Sequence, residues 1–568
     1  MLLNLFKELS LHPKNAAELK GLILQLAVQG KLTAKWREEN PDVEPASELL
    51  KRIEEEKERL IKEKKIKIDN ALPRTNNEEV PFDLPGSWTW CKMIDICRVI
   101  TDGTHHTPKY QDRGVPFLSV KDMSGGFLNF ENTRFVSQET HNELIKRCHP
   151  EKHDILLTKV GTTGIAISIN TDRAFSIFVS VALLKIFSDH LYTKFFEYCI
   201  NSPFIKLQSK EGTEGVGNKN LVLRKIKAFD VPIPPLKEQQ AIVNIVNQLF
   251  AEVEQLEQLT KERIQLKHDF ASSALQRLVQ AGNINGEWQM VQQHFHTFFN
   301  EKANVKKLRE TILQLAVQGK LTTRWRTENP DTEPATELLK RIATEKQQLI
   351  QSGKIKKEKP LPPIKEEEIP FELQEGWVWC RLGEINYDVH YGYTASAKGT
   401  YSGVGLLRIT DIQNNRVNWA TVPDCDIREK DVEKYLIQKN DILIARTGGT
   451  IGKSFLVQDV FRKSVFASYL IRAIPVKTID VKYAKLFIES PYYWEQLKEN
   501  SQGTGQPNVN ATSLKGLNVS LPPLQEQHAI VATVNTLMGL CDALDQEIGQ
   551  QQSQVEELMR SCLREVLE

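Results

Sequence analysis

Apolar residues near the C-terminus recur every three or four positions, the spacing that places them along one side of a helix. The pattern runs through residues 526–566 with a single polar gap near Gln551. It predicts one long helix whose apolar seam packs against another helix. The seam consists of Ile530, Val534, Leu537, Cys541, Leu544, Ile548, Val555, Leu558 and Cys562.

A second pattern of the same kind lies in the middle of the chain and predicts another long helix. It begins as regularly as the first, with Ile242, Val246, Leu249, Val253 and Leu256. It then weakens at Thr260, Arg263 and Lys267, before Phe270 and Leu278 resume it.

Shorter helices are predicted by a segment that occurs twice. Residues 23–53 and 312–342 are identical at 26 of 31 positions when they are aligned at an offset of 289. In each copy the run ILQLAV ends near a glycine, Gly30 or Gly319, in the position that closes a helix. A second helix follows the turn NPDxEPA, with apolar residues at Leu49, Leu50, Ile53 and Leu60 in the first copy.

The start of each long helix is repeated as well, at residues 234–249 and 522–537. Between the repeats the sequence similarity is much weaker and is limited to short segments, for example 154–164 and 441–452. Tandem duplication with uniform drift would have eroded all parts alike. We therefore infer that the conserved repeats, here called the frames, serve one shared partner, and that the divergent stretches, here called the inserts, recognise different targets.

The inserts predict a different kind of structure from the frames. Short β-branched and aromatic runs such as ILLTKV, SIFVSVALLKIF and VGLLRIT alternate with glycine and aspartate, which predicts mixed α/β domains. No helix follows the C-terminal helix, so it is predicted to pack against the N-terminal helices (16–65). The predicted fold is therefore α+β, a pseudo-circular repeat with its termini close together.

Charge adds a distinction that the net charge of +1 conceals. Residues 92–232 of the first insert hold 19 Lys+Arg and 15 Asp+Glu, and residues 381–520 of the second hold 18 and 14. Each insert is thus +4, and the remainder of the chain is negative. A positive excess in two separate blocks suits contact with phosphate at two places.

Membrane insertion, secretion and a disulfide framework are not indicated. No run of 18 apolar residues occurs, and the N-terminus lacks a small-residue cleavage site, so we expect no signal peptide. The eight cysteines form no CxxC pair. We expect them to be reduced and mostly buried thiols of a cytoplasmic protein.

The sequence offers no catalytic or metal-binding constellation. It lacks the Asn/Asp-Pro-Pro-aromatic loop of amino-group methyltransferases, and no G-x-G-x-x-G loop follows a predicted strand. The segment TGGTIGKS (447–454) resembles a phosphate-binding loop, but Thr447 stands where that loop needs glycine. His105 and His106 have no acidic or thiol partner at ligand spacing. We expect no enzyme activity, cofactor or metal in this chain.

Glycine-rich loops in each insert carry the groups that DNA contact requires. Hydroxyls and backbone N–H groups can contact phosphates, Asn and Gln can pair with adenine, and Arg and Lys can pair with guanine. Each residue taken alone is also compatible with an ordinary polar surface loop. The DNA-binding candidates are Thr104, His105, His106, Lys109, Tyr110, Lys121, Lys159, Thr162, Thr163, Asn218, Lys219 and Asn220 in the first insert, and Tyr391, Tyr393, Thr394, Arg408, Arg446, Thr447, Thr450, Gln506, Asn508 and Asn510 in the second.

The frames are predicted to bind protein rather than DNA, since identical surfaces bind identical partners. The candidate residues lie in the ILQLAVQG segments and at the start of the long helices. They are Leu26, Gln29, Leu315, Gln318, Glu238, Gln239, Glu526 and Gln527.

Three features together resemble a known family. The duplicated ILQLAVQGKL frame, the PFxLxxxWxW approach to each insert and the PPLxEQxxIV start of each long helix are similar to those of type I restriction–modification specificity subunits, in particular the type IB branch. The resemblance covers essentially the whole chain and implies two target recognition domains separated by long antiparallel coiled-coil helices. The implied regions are an N-terminal helical region (1–80), a first recognition domain (81–233), a central helical spacer (234–369), a second recognition domain (370–521) and a C-terminal spacer helix (522–568).

The resemblance also implies a function. Each recognition domain would read one half of a split, asymmetric DNA site. Two modification subunits would dock on the spacers and methylate adenine N6 with S-adenosylmethionine, and restriction subunits that use ATP and Mg would join them. The alternatives are a stand-alone DNA-binding or anti-restriction protein of the same shape, and a coiled-coil adaptor that binds no DNA.

Overall fold

The computed structural model describes residues 15–68, 72–73, 82–214, 220–399, 403–413, 415–500 and 509–567. The chain divides into two compact units, one formed by residues 1–264 with 552–568 and the other by residues 265–551. The C-terminal end is thus grouped with the N-terminal frame, in agreement with the order of parts argued from the sequence. Each unit combines helices with strands.

The frame of the first unit is helical and turns at a glycine. Its helices are α1 (Asn15–Val28), α2 (Ala34–Glu39) and α3 (Ala46–Lys62). The apolar run ILQLAV lies in α1, where Ile23 and Ala27 are buried. Gly30 has φ +70°, and a Cβ at this position would lie 2.6 Å from Pro85 Cγ. The predicted helix-closing glycine is confirmed, because few other residues adopt this backbone conformation.

The first insert folds around small sheets covered by helices. Its strands are β1 (Thr89–Lys92), β2 (Cys97–Asp102), β3 (Val115–Leu118), β4 (Arg134–Val136), β5 (Ile155–Thr158), β6 (Ala166–Ser168), β7 (Ser176–Ile177), β8 (Val181–Ile186), β9 (Thr213–Glu214), β10 (Asn220–Leu221) and β11 (Asp230–Ile233). The larger sheet has the order β2-β8-β5-β6 and the smaller one β4-β3-β7. The helices are α4 (Gln138–Leu144), α5 (Thr193–Asn201), α6 (Pro203–Glu211) and α7 (Leu223–Lys227).

The frame of the second unit repeats that of the first. It follows the long helix α8 (Leu236–Gln280), and Gly319 has φ +69° where Gly30 has +70°. Its helices are α9 (Asn285–Gln293), α10 (Phe295–Phe298), α11 (Lys302–Val317), α12 (Thr323–Glu328) and α13 (Ala335–Gln351).

The second insert repeats the strand topology of the two main sheets of the first insert. Its strands are β12 (Val378–Arg381), β13 (Asn386–Tyr391), β14 (Val404–Leu407), β15 (Ile412–Gln413), β16 (Arg416–Val417), β17 (Asp424–Cys425), β18 (Ile442–Ala445), β19 (Ser454–Leu456), β20 (Ser464–Phe466), β21 (Leu470–Pro475) and β22 (Asn518–Leu521). The larger sheet has the order β13-β21-β18-β19 and the smaller one β17-β14-β20. The helices are α14 (Glu429–Tyr435), α15 (Val481–Glu489), α16 (Pro491–Asn500) and α17 (Ala511–Lys515), after which α18 (Leu524–Leu567) ends the chain.

The two ends of each insert are hydrogen-bonded to one another. In the first insert β1 pairs antiparallel with β11, and Cys91 lies opposite Val231. In the second insert β12 pairs with β22, and Cys380 lies opposite Val519. Each insert therefore leaves its frame and returns to it through one two-stranded connection.

The long helices follow the predicted seams over most of their length. In α18 the side chains of Ile530, Val534, Cys541 and Ile548 are buried. Leu558 is exposed, so the prediction that it continues the seam is wrong.

The seam of α8 departs from its prediction in the middle. Thr260, expected as a weak position, is buried, whereas Phe270, expected to resume the seam, is 54% exposed. The Phe270 ring lies against the Phe298 ring, with centroids 5.0 Å apart. Two alanines, which let neighbouring helices approach closely, and two leucines take the buried positions here. These buried side chains are Ala271, Ala274, Leu275 and Leu278.

The cysteines and the long helices also bear on the broader sequence predictions. The seven cysteines whose side chains the structure describes are free and buried, as predicted. None of the described helices combines the length and the apolar character needed to cross a membrane.

Candidate functional site

One end of the larger sheet in the first insert is built by a close backbone approach. β2 ends at Asp102, and the next residue, Gly103, donates its N–H to the carbonyl of Val181 (3.3 Å). Thr104 then donates to the carbonyl of Ile177 (3.2 Å). A Cβ on Gly103 would lie only 2.0 Å from the Ile177 oxygen. Glycine is thus required for the loop after β2 to start here.

Two further predicted loops meet this strand end. Lys159, which follows β5, donates its N–H to the carbonyl of Ser180 (2.8 Å). The carbonyl of Lys159 in turn accepts from the N–H of Leu221 (2.8 Å), next to the candidate Asn220. The structure therefore brings together three loops that the sequence predicted separately.

The second insert repeats this assembly bond for bond. Gly392 donates to Leu470 (3.1 Å), and a Cβ on Gly392 would lie 2.3 Å from the Ala467 oxygen. Arg446 donates its N–H to the carbonyl of Tyr469 (3.0 Å), and its own carbonyl accepts from Val509 (3.1 Å). We call this place in each insert the sheet-end site.

A buried carboxylate organises the sheet-end site of the first insert. Asp102 is buried, and its Oδ2 accepts a hydrogen bond from Lys159 Nζ at 2.6 Å. Its Oδ1 accepts from Arg147 Nη2 at 2.8 Å and lies 3.2 Å from His105 Nε2. Because Asp102 is almost fully desolvated, the hydrogen bonds from Lys159 and Arg147 offset the cost of burying its carboxylate.

This network corrects the prediction for Lys159. Its side chain is buried and ion-paired with Asp102, so it is not available to contact a phosphate. Arg147, which the sequence reasoning missed, is exposed over about half of its side chain (55%) and reaches the site from beyond α4. No local motif marks Arg147, because its place at the site depends on the fold of the domain.

Aromatic side chains organise the sheet-end site of the second insert. The guanidinium of Arg446 lies 4.6 Å from the centroid of the Tyr391 ring. The Tyr391 hydroxyl accepts a hydrogen bond from the N–H of Ala511 (3.1 Å), and the Tyr393 ring packs against Tyr435 at 5.4 Å. Tyr469, which the sequence reasoning also missed, is 63% exposed beside Arg446.

The remaining DNA-binding candidates fall into several environments. Tyr110 lies under the Arg134 guanidinium at 4.3 Å. Arg408 donates two guanidinium N–H groups to Asp411, at 3.1 and 2.8 Å. These hydrogen bonds raise the pKa of Arg408 and hold its side chain against the protein. Asn510 caps α17 by accepting from Ser513 N–H. His106, Lys109, Lys121, Thr162 and Thr394 are exposed, Thr163, Thr447 and Thr450 are half-buried, and Asn218, Lys219, Gln506 and Asn508 lie outside the described residues.

The partner-binding candidates at the start of α8 are buried instead of facing outward. Glu238 accepts hydrogen bonds from Arg37 (2.6 Å), Thr33 (2.7 Å) and the Trp88 indole (2.9 Å). Gln239 accepts from the N–H of Tyr192 at 2.8 Å. These contacts tie the frame to the insert, and they leave neither side chain free for another protein.

The second frame shows the same correction. Glu526 accepts from Arg326, Thr322 (2.6 Å) and Trp377 (2.9 Å), and Gln527 accepts from the N–H of Asp480 (2.8 Å). The prediction of direct partner contact is therefore wrong for these side chains. The prediction is also wrong for three further candidates that are buried, Gln29, Leu315 and Gln318. Leu26 is half-buried.

Metal ligands were not expected from the sequence. Among the residues that the structure describes, no group of three or more His, Cys, Asp or Glu side chains is arranged to hold a metal ion. The described side chains of the sheet-end sites are donors, acceptors and aromatic rings, which are groups suited to binding.

Comparison with known proteins gives consistent matches along the chain. A family model for the type I restriction modification DNA specificity domain matches residues 85–266 and 394–552. The type I restriction enzyme EcoAI specificity subunit of Escherichia coli is 32% identical over 547 residues, which cover 93% of this chain and 90% of that protein. The EcoEI specificity subunit of Escherichia coli is 30% identical, with coverages of 95% and 92%.

Solved structures include more distant matches. A chain described under the structural basis of complex assembly and conformational transition of the type I R-M system is 16% identical, covers 86% of this chain and 99% of its own, and has a TM-score of 0.46. The HsdS subunit from Thermoanaerobacter tengcongensis is 15% identical, with coverages of 86% and 98% and a TM-score of 0.40.

Proposed function

Because this chain belongs to the family of type I restriction–modification DNA specificity subunits, we propose that it reads a split, asymmetric DNA site with one half for each insert domain. As a member of this family it is a DNA-recognition subunit and not a catalytic one. We accordingly treat the insert domains as its target recognition domains.

The observation that carries the proposal is the repeated sheet-end site. The same backbone bonds hold Gly103 and Gly392, and they place Lys159 and Arg446 at matching positions. The side chains around this common backbone differ between the domains. A shared scaffold with different side chains supports recognition of one type of molecule, duplex DNA, at two different base sequences.

The long helices, outside the repeated segments, supply the proposed docking surface for the modification subunits. Since the predicted glutamates and glutamines are buried, we assign docking to exposed apolar side chains on the long helices. Leu266 of α8 is 68% exposed and Leu540 of α18 is 64% exposed. Under this proposal the partner subunits bring S-adenosylmethionine, ATP and Mg, the long helices act as antiparallel coiled-coil spacers, and the complex works on DNA in the cytoplasm.

Methylome sequencing tests the proposal. The chain is expressed with its modification subunit in a host that lacks other adenine methyltransferases, and methylated adenines are mapped. We expect one asymmetric motif with a fixed unread gap. Exchanging residues 92–232 for the first insert of another member should change one half of that motif and leave the other half unchanged.

The same experiment separates the alternatives. No sequence-specific methylation, with DNA binding retained, would favour a stand-alone or anti-restriction protein. A palindromic motif, or a change in both halves after one exchange, would refute independent reading by the two domains.

A further inference from the structure

Four positions of the sheet-end site are structurally equivalent between the two domains. The same backbone hydrogen bonds are made in both domains at four places. These are the end of β2 or β13, the residue after the glycine that follows, the residue after β5 or β18, and the residue before β8 or β21. The equivalent pairs are Asp102 and Tyr391, Thr104 and Tyr393, Lys159 and Arg446, and Ser180 and Tyr469.

The first domain fills these positions with polar side chains. Asp102 and Lys159 form a buried ion pair, and the hydroxyl oxygen of buried Ser180 accepts from the N–H of Val120 (3.2 Å). Two side chains next to this pair remain accessible, and both contact Asp102 Oδ1. They are the side chains of Arg147 and His105, which are 55% and 56% exposed.

The second domain fills three of the same four positions with tyrosines, and the fourth is Arg446. Tyr391 takes the place of the carboxylate, and Tyr469 projects its ring where Ser180 is buried. The half-exposed ring of Trp494 borders the same site, since a Cβ on Gly452 of the adjoining loop would lie 2.7 Å from it. The exposed part of this site therefore consists largely of apolar ring faces, beside the Arg446 guanidinium that is stacked on Tyr391.

These two surfaces suit different base edges in the major groove. Guanine presents the N7 and O6 acceptors that an arginine can contact with two hydrogen bonds, whereas thymine presents a methyl group that favours apolar contact. Building on the proposed function, we infer that Arg147 reads a guanine in the half-site of the first domain and that Tyr469 packs against a thymine methyl group in the half-site of the second. Asp102 is then a positioning residue that fixes Arg147 toward the base.

The thymine contact is tested by removing the methyl group from the DNA. Once the methylated motif is known, each thymine in the half-site of the second domain is replaced singly by deoxyuridine, and binding to the assembled methyltransferase is measured. We expect about a tenfold loss of affinity at one position. The variant Tyr469→Ser should bind thymine and deoxyuridine DNA equally at that position.

The matched control is Phe461→Ser. Phe461 is also a highly exposed aromatic residue (77%), but it lies in the loop that follows β19, at the far end of that strand from the site. This variant should keep the full sensitivity to deoxyuridine. If the Tyr469→Ser complex keeps it as well, or if no deoxyuridine replacement weakens the wild type, the assignment of Tyr469 is overturned.

The guanine contact is tested by removing N7. Each guanine in the half-site of the first domain is replaced by 7-deazaguanine, and we expect about a tenfold loss for the wild type at one position. Arg147→Gln should abolish the difference, whereas Arg173→Gln, which alters an exposed arginine at the far end of β6, should preserve it. Equal sensitivity in the Arg147→Gln and wild-type complexes would overturn this assignment.

Failure of the inference is distinguishable from failure of the proposed function. If the wild-type complex methylates no specific motif, the proposed function itself fails. If a split motif exists but its halves respond to neither base analogue, DNA reading stands and the assignment of Arg147 and Tyr469 is wrong.

Discussion

Buried carboxylates stabilise the junction between each frame and its insert. Glu238 and Glu526 occupy equivalent places, and each accepts hydrogen bonds from an arginine, a threonine and a tryptophan. A carboxylate without water is stable only when such donors satisfy it. These glutamates are therefore structural, and the frames use them in the same way.

We expect Glu238→Ala to destabilise the first unit by about 3 kcal/mol or more, because it leaves the Arg37 charge and the Trp88 indole without their acceptor. Glu526→Ala should have a similar effect on the second unit. Urea unfolding followed by tryptophan fluorescence measures both. The control is Glu254→Ala, which removes an exposed pair with Lys20 and should cost less than about 1 kcal/mol. Equal effects of all three substitutions would contradict the structural role.

The buried thiols should resist modification in the folded chain. Burial raises the pKa of the Cys97 and Cys148 thiols to about 12, so at pH 8 only roughly one molecule in ten thousand carries the reactive thiolate at either position. In a Cys562→Ser variant, a thiol reagent should label almost no cysteine of the native protein and all seven in denaturant. Rapid labelling of several native thiols would show that the cores are open.

Residue roles at the sheet-end site were only partly predictable. The glycine loops were found because Gly, Asn and basic residues cluster locally in the sequence. Burial of Lys159 was not predictable, since its partner Asp102 lies far away in the chain. Arg147 and Tyr469 were missed for the same reason: neither carries a local motif, and only the fold brings them to the site.

At the scale of single elements, glycines have opposite roles at different positions. Gly30 and Gly319 have positive φ angles, and a Cβ at either position would lie 2.6 Å from a neighbouring side chain, whereas Gly539 lies within α18 with open space around its Cβ position. We expect Gly30→Ala and Gly319→Ala to destabilise their units by about 2 kcal/mol. Gly539→Ala should stabilise α18 by up to about 1 kcal/mol. Thermal unfolding measures the signs, and a uniform sign would contradict the distinction.

The exposed leucines of the long helices are expected to govern assembly. Leu266→Asp and Leu540→Asp place a charge where we propose that a modification subunit docks, so co-purification with that subunit should fall at least about tenfold. The folded state should be retained, because both side chains are exposed. Gln265→Asp, on the exposed side of the same helix, is the control. Normal assembly of the folded leucine variants would reject this docking surface.

Helix existence was predictable from the apolar spacing, but details of packing were not. The start of α18 was expected near residue 526 and lies at Leu524. The seam of α8 passes through alanines near its end, because small side chains allow close approach where the larger Phe270 does not. Spacing alone does not distinguish an alanine in a core from one on a surface.

At the scale of the whole molecule, the 31-residue repeat was the most informative feature of the sequence. It predicted two equivalent frames, and the structure contains one in each unit. The base sequence that we propose each insert reads was not predictable, because it depends on side chains placed by contacts across each domain.

The proposed gap between half-sites can be tested through the long helices α8 and α18. Removing residues 254–260 of α8 together with 549–555 of α18 shortens each helix by about 10 Å. The unread gap of the methylated motif should shorten by about three base pairs or specific methylation should be lost. Removing 254–260 alone leaves unequal helices and should abolish specific methylation. An unchanged gap after the paired deletion would show that the helices do not set it.

The paired strands that close each insert have a consequence for heredity. Because β1 with β11, and β12 with β22, bring the ends of an insert together, a foreign insert can replace a resident one without altering the frame. The segments that precede the two inserts are identical at 26 of 31 positions, so both inserts are joined to nearly the same frame. If whole inserts are exchanged in this way, two proteins that differ in both inserts give four combinations of inserts. Under the proposed function each combination would recognise a different DNA site.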